Sequence, residues 1–485
     1  MKEFLALCGA LCLTAFALTP TAAQAADASS ARVIAWGDRN AQEAQRTPAN
    51  PLEAQGTQVQ QTQEQDTNVS TDSEQENNAE AAKQEEAQKE QPKSAAEKKG
   101  VQGQEIQKVR VTWPAMPGAV RYEFVLLRNM EDIAANELYR EKYVFEAGCE
   151  VDLSGYGAEK SEFHWKVRPL NYDGKAIGAY SPLHAITEGE SNPISPKPTT
   201  EFEQMSYAPL YPVYSWIPTL GAARYEVQVW QKDLAGESKL LETLYSDATD
   251  CYDLASYTIP GNYYWRVRAL DATNQAIGTW SPQASFHVTS PVKVAALGDS
   301  ITHGGGVISV PPGYQMYNWE TYSDIPIKNL GYSGNTVEAM LERFENDVLP
   351  FSPRVLVIMG GVNNYRLGDG AWSIIHALAE IRDKCNSYGI IPVFATVTPL
   401  NPYYIGKCQF IEMPPEDWMA QQQVLNQWIM AQKYSVDVAR ALTDDRGWLG
   451  DGFTTDGLHP DYSGKKHIGQ AIAKYLHENF SWLVG

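Results

Sequence analysis

Two stretches of this chain, about 100 residues apart, carry the same order of residues. Val111-Thr112-Trp113-Pro114 leads to Arg121-Tyr122-Glu123, and Ser215-Trp216-Ile217-Pro218 leads to Arg224-Tyr225-Glu226. Further on, Trp165-Lys166-Val167-Arg168 matches Trp265-Arg266-Val267-Arg268. Ile177-Gly178-Ala179-Tyr180-Ser181-Pro182 matches Ile277-Gly278-Thr279-Trp280-Ser281-Pro282. Cys149 stands before Val151-Asp152-Leu153, and Cys251 before Tyr252-Asp253-Leu254. A repeat at this spacing means one structural unit used twice. Alternation after Tyr122 and after Tyr225 reads as strand, and turn signals separate short strands of this kind. The prediction is two small all-β sandwiches. Each copy has a single cysteine, so neither can close an internal disulfide.

These motifs (an early strand Trp, a Tyr strand next, a late Trp-x-Val-Arg strand closed by an aromatic-Ser-Pro) resemble the fibronectin type III fold. The resemblance covers residues 106–190 and 200–290. It implies spacer modules, or modules that contact a glycan or cell wall.

The N-terminus reads differently. Lys2 precedes an apolar run from Phe4 to Leu18, followed by Ala23-Gln24-Ala25. That is the pattern of a secretory signal peptide over residues 1–25, and the run is short for a membrane span. Residues 26–105 are rich in Gln, Glu and Ala, and no aromatic residue occurs between Gly37 and Thr112. Such a linker cannot bury enough apolar surface to offset its ordering entropy and is expected to stay disordered. The whole chain has 59 acidic against 39 basic residues. That balance argues against nucleic acid as a partner, because duplex binding needs a basic footprint. No membrane span is expected once the signal peptide is removed, and the expected location is secreted, extracellular or periplasmic.

After Pro291 the pattern turns to strands alternating with helices. Apolar strands are expected at 292–297, 327–330, 354–359 and 390–396, with a short one at 436–438. Helices are expected over Thr336–Val348, Trp372–Tyr388, Glu416–Lys433 and Ser463–Leu476. Near-continuous apolar strands between helices predict a three-layer α/β/α domain with a parallel sheet, flavodoxin-like, over residues 291–485. Ligands in such folds sit at the carboxyl ends of the strands. Four polar or Gly-rich segments stand there: Gly298-Asp299-Ser300, Gly331-Tyr332-Ser333-Gly334-Asn335, Gly360-Gly361-Val362-Asn363-Asn364 and Asp456-Gly457-Leu458-His459. Together they offer a rim serine, glycine amides, an asparagine amide, and a histidine with an aspartate three residues before it.

In this order the four segments resemble the SGNH (GDSL-type) hydrolase superfamily. A Gly-x-Ser-x-Gly elbow, the mark of the other common serine-hydrolase fold, is missing from this domain. The resemblance implies a nucleophile in Ser300, a base in His459 and an orienting acid in Asp456. It implies an oxyanion hole from the Ser300 and Gly334 amides and the Asn363 side chain. The family often has Asp where this chain has Asn335 and Asn364, which bears on local hydrogen bonding and substrate preference.

Other residues stand out. His303 either lines an acyl pocket or shapes a loop. Of Trp319 and Tyr322, at least one is expected in the core. Tyr403 and Tyr404 could stack on a sugar. Cys385 and Cys408 are expected to lie too far apart for a disulfide, and His376 and His467 to be structural. No His, Asp or Cys cluster has metal-ligand spacing, so neither metal nor cofactor is expected. The reading is a secreted serine esterase that cleaves short acyl groups, acetyl above all, from a polysaccharide or cell-wall glycan. The alternatives are a lipase or lysophospholipase, and a surface glycan-binding protein whose hydrolase domain is incidental.

Overall fold

The computed structural model describes residues 108–156, 162–232, 236–306, 310–408 and 411–483. The expected signal peptide and linker lie outside these residues. The repeat is visible strand by strand. In the first copy, Lys108–Thr112 pairs with Gly148–Asp152 and Glu190–Ser191. This sheet packs on a second one built around Arg121–Leu127 and His164–Leu170. Val109, Val111, Phe124, Leu126, Val151 and Trp165 fill the space between. In the second copy, Val213–Ile217 pairs with Asp250–Tyr252 and Lys197–Pro198. Arg224–Lys232 pairs with Ser238–Ser246 and Gly261–Leu270 to form its other sheet.

The match extends to polar side chains. Glu123 pairs with Arg168, whose guanidinium lies 4.4 Å from the Tyr180 ring. Glu226 pairs with Arg268 at 2.6 Å, and that guanidinium lies 4.6 Å from the Trp280 ring. Tyr122 Oη accepts from the Met116 amide, and Tyr225 Oη from the Thr219 amide. Cys149, Cys251, Cys385 and Cys408 are buried, and none of them forms a disulfide.

The C-terminal region forms a five-stranded sheet of β1 (Val294–Gly298), β2 (Ile327–Gly331), β3 (Val355–Met359), β4 (Ile391–Ala395) and β5 (Ser435–Val436). The order is β2-β1-β3-β4-β5 and every pair is parallel. Each residue of β1, β2 and β3 is buried, as in a sheet covered on both faces. Ala371–Ser387, Trp418–Met430 and Tyr462–Asn479 supply the longer helices.

One predicted helix is interrupted. Thr336 caps Val337–Glu342, and the chain then breaks at Arg343 before a second turn, Phe344–Asp347. Arg343 leaves helical geometry (φ −89°, ψ 1°), and its guanidinium reaches the Gly298 carbonyl at 2.9 Å. Apolar periodicity carried no sign of that tertiary bond. The short helices Val362–Arg366 and Pro402–Cys408 also escaped prediction, being too brief to show a stripe.

The two copies differ in how they join this domain. The second copy shares one apolar core with it, continuous from Trp216, Tyr225 and Tyr257 to Ile301, Leu330 and Val355. The first keeps a core of its own. A loop of the second copy, residues 205–212, lies along the edge strand β2. There the Leu210 amide donates to the Asn329 carbonyl at 2.9 Å, and Lys328 Nζ donates to the Ala208 carbonyl at 2.7 Å.

Candidate active site

β1 ends at Gly298, where a Cβ would stand 2.3 Å from Thr302 Oγ1 and 2.6 Å from the Met359 carbonyl. Only glycine lets the chain turn so tightly there. Asp299 then caps the short helix Ser300–His303 by accepting from the Ile301 amide at 2.9 Å. Burial pushes the Asp299 carboxyl up to about 6. Ser300 thereby opens the helix at the carboxyl end of the sheet, with 9 % of its surface exposed.

His459 arrives from the segment before the last helix. Its Nε2 lies 2.9 Å from Ser300 Oγ, and its Nδ1 lies 2.7 Å from Asp456 Oδ2. The other Asp456 oxygen accepts from the Leu458 and His459 amides, both at 2.8 Å. A carboxylate on Nδ1 holds the proton there and leaves the Nε2 lone pair for the serine hydroxyl. Gly457 makes the turn between Asp456 and His459 at φ +84°, where a Cβ would meet the Asn401 carbonyl at 2.3 Å.

The segment after β2 forms the second wall. Tyr332 donates its amide to the Gly298 carbonyl at 3.1 Å, which ties this loop to the serine turn. Gly334 has φ +83°, and a Cβ on it would point into open space. Asn363, at the start of Val362–Arg366, donates one Nδ2 hydrogen to the Asn335 carbonyl at 2.9 Å. Its second amide hydrogen remains for another acceptor. The fold thus brings Ser300, Gly334, Asn363, Asp456 and His459 to one rim.

Both departures from the family pattern have local partners. Asn335 Oδ1 accepts from Arg343 Nε at 2.6 Å, and the charge of Arg343 is met instead by Asp347 at 2.9 Å. Asn364 is fully buried. It donates to Glu338 at 2.8 Å and Asp369 at 2.9 Å, and accepts from the Val337 amide at 2.9 Å. An aspartate there would confront two carboxylates with no hydrogen to offer.

His303 connects the serine helix to the second all-β copy. It is buried, donates from Nε2 to the Tyr211 carbonyl at 2.7 Å, and accepts at Nδ1 from the Ser333 hydroxyl at 2.9 Å. Burial pushes its imidazole down to about 4. Arg343, Asp347 and Tyr211 stand beside it and were not singled out from the sequence. The only available signal was the charged i,i+4 pair Arg343 and Asp347. Trp319 is fully buried, while Tyr322 is half-buried and donates to the Met316 carbonyl. Tyr403 is 53 % exposed and packs edge-on against Tyr404. His376 lies on a surface helix face beside Glu380, and the ring of His467 packs on Phe453. Among the described residues no group of His, Cys, Asp or Glu is arranged to hold a metal ion, and no helix is long and apolar enough to cross a membrane.

Residues 296–467 match the GDSL-like lipase/acylhydrolase family. This span contains all five rim residues. The fold is also similar to that of three solved proteins. A lipase/acylhydrolase from Enterococcus faecalis is 21 % identical, with 39 % of this chain and 96 % of that one covered and a TM-score of 0.32. A GDSL-like lipase from Bacteroides thetaiotaomicron is 19 % identical, with 39 % and 92 % covered and a TM-score of 0.31. An acetylxylan esterase from Geobacillus stearothermophilus, crystallised as a catalytic mutant, is 19 % identical, with 39 % and 95 % covered and a TM-score of 0.30. No curated protein matches the chain.

Proposed function

From the match of residues 296–467 to the GDSL-like lipase/acylhydrolase family, we propose that this chain is a secreted serine esterase that removes short acyl groups from a polysaccharide or cell-wall glycan. The observation that carries the ester chemistry is the unbroken relay from Ser300 Oγ through His459 to Asp456, at 2.9 and 2.7 Å.

In this reading Ser300 Oγ attacks the ester carbonyl carbon as its proton passes to His459 Nε2. Asp456 stabilises the imidazolium so formed. The carbonyl oxygen becomes an oxyanion, met by the Ser300 and Gly334 amides and the free Nδ2 hydrogen of Asn363. The C–O bond to the alcohol breaks, and His459 gives its proton to the leaving oxygen. Water repeats the sequence on the acyl-serine, releasing the acid and restoring Ser300.

The glycan side of the reading draws on the joining of a hydrolase domain to two all-β modules, and on the aromatic pair Tyr403–Tyr404. That pair follows Asn401, whose amide donates to the Gly457 carbonyl between acid and base at 2.7 Å. An exposed ring two residues beyond Asn401 suits stacking on a sugar face.

The test is hydrolysis of nitrophenyl esters from acetate to long chains by the purified protein, with Ser300→Ala alongside. Activity should fall steeply with chain length and drop by about 10⁴-fold or more in the variant. Preference for long chains would move the substrate to lipids. Equal activity of variant and parent would overturn the catalytic assignment.

A further inference from the structure

The oxyanion loop is not held by the hydrolase domain alone. Gly334 lies between Ser333 and Asn335, and each neighbour is tied by a separate chain of bonds to one residue of the second all-β copy, Tyr211. On one side, the Tyr211 carbonyl accepts from His303 Nε2 at 2.7 Å. His303 Nδ1 then accepts from the Ser333 hydroxyl at 2.9 Å and its amide at 3.3 Å. On the other side, Tyr211 Oη donates to Asp347 Oδ2 at 2.7 Å. That same oxygen accepts from Arg343 Nη1 at 2.9 Å, and Arg343 Nε donates to Asn335 Oδ1 at 2.6 Å. The Tyr211 ring stands edge-on to Tyr332, centroids 4.7 Å apart. All four of His303, Asp347, Arg343 and Tyr211 are largely buried, so water competes little for these bonds.

We propose that the second all-β copy is part of the catalytic machinery: through Tyr211 it braces both flanks of Gly334 and holds the oxyanion-stabilising amide in place. Tyr211 is a positioning residue. It reaches the loop on one side through His303 and on the other through Asp347 and Arg343, and leaves Gly334 itself open to substrate. Oxyanion donors act because they are fixed before charge develops, so a loop free to shift loses stabilisation of the transition state more than binding of the ester. The two arms divide the load. One runs through a backbone carbonyl and survives side-chain change at position 211, and the other depends on the tyrosine hydroxyl.

This inference rests on the esterase reading, and the experiment separates the two. In the full chain, Tyr211→Phe removes the hydroxyl arm and keeps the ring and carbonyl. Its kcat for nitrophenyl acetate should fall on the order of tenfold, less than the 10²–10³ expected for losing a donor outright, with KM within about twofold. Affinity for an alkyl boronic acid, whose serine adduct is a tetrahedral anion, should weaken by a similar factor. Asp347→Asn, which still accepts from Tyr211, should retain more kcat than Asp347→Ala. Unchanged kcat and boronate affinity in Tyr211→Phe, with Ser300→Ala inactive, would overturn the brace and leave the esterase standing. A lowered melting temperature with unchanged kcat and boronate affinity would reduce Tyr211 to a structural role and also overturn it. Activity in Ser300→Ala equal to the parent would remove both.

Discussion

The two copies of the repeat share their strands, their cores' composition and even their Glu–Arg–aromatic stacks, yet they meet the hydrolase domain in different ways. The second copy has no core boundary with it: Leu210 and Tyr257 belong to the same apolar cluster as Leu330 and Val355. The first copy meets it across a cleft of about 480 Å³ lined by Met116, Tyr122, Glu146, Tyr314, Tyr317 and Tyr322. A polar tie also joins them, Lys407 to Asp173 at 2.9 Å. One unit, used twice, has been turned into a structural component in one place and left as an appended module in the other. Repetition in sequence therefore says what folds alike and nothing of what works alike.

Matched truncations are the strongest way to break this contrast. Leu126 lies in the first copy's core and Leu210 in the shared core, and both are fully buried. Each Leu→Ala change removes the same atoms and should cost its own core about 2–5 kcal/mol. In urea, the midpoint for loss of esterase activity should move with Leu210→Ala and stay put with Leu126→Ala. A far-ultraviolet circular dichroism transition should report both. Equal shifts of the activity midpoint would mean that the copies and the hydrolase unfold as one, and the contrast would fall.

Acidity probes the same joint with a slightly smaller effect. The buried His303 titrates at about 4 rather than an ordinary 6.5. The unfolded chain therefore takes up this proton first as pH falls. The stability tied to neutral His303 is complete above 6.5 and is lost as pH falls through about 4. His303→Gln can still donate to Tyr211 and accept from Ser333, but it does not titrate. Between pH 6.5 and 4 the parent should lose about 3 kcal/mol relative to this variant. Other buried groups act in the opposite sense: Asp299 is raised to about 6 and Glu320 to about 7, so their burial costs stability as pH rises. They cancel in the comparison of parent with variant, which thermal melts across pH would read. Parallel pH curves would show that His303 is not held neutral at the joint.

How much of this was legible beforehand divides along physical lines. Apolar runs and their alternation with helices announced the parallel sheet, because burial on both faces writes itself locally into each strand. Four polar or Gly-rich segments were legible at strand ends because chemistry restricts which residue types suit that place, and it was the resemblance to SGNH hydrolases that singled out Ser300, Gly334, Asn363, Asp456 and His459 within them. Tyr211 was not. It lies in a loop, and its partners His303 and Asp347 stand 92 and 136 residues away. Nothing in local periodicity encodes a bond of that span. At Arg343 the expected helix breaks, and the guanidinium reaches Gly298 and Asn335 as well as the i+4 residue Asp347. The repeat itself concealed the difference between the copies, because the residues that match are those that build each sandwich, and the residues that join lie in the loops.

The smallest expected effect tests the first copy's independence. Asp173 and Lys407 form an exposed pair at 2.9 Å. Exposed pairs contribute little to stability, because solvent screens them and both side chains lose freedom. Asp173→Ala should leave kcat on nitrophenyl acetate and the melting temperature nearly unchanged. The position is still informative. Lys407 Nζ also lies 4.6 Å from the Tyr403 ring centroid, on the helix that begins directly after Asn401. That asparagine's amide bonds the Gly457 carbonyl, so the helix connects the first copy to the turn between Asp456 and His459. If Asp173→Ala lowered kcat, the first copy would reach the relay through this helix, and both copies would belong to the catalytic unit. If kcat held while KM rose on an acetylated oligosaccharide alone, the first copy's share would be in placing Tyr403 against the sugar, and the two copies would divide the work between transition state and substrate.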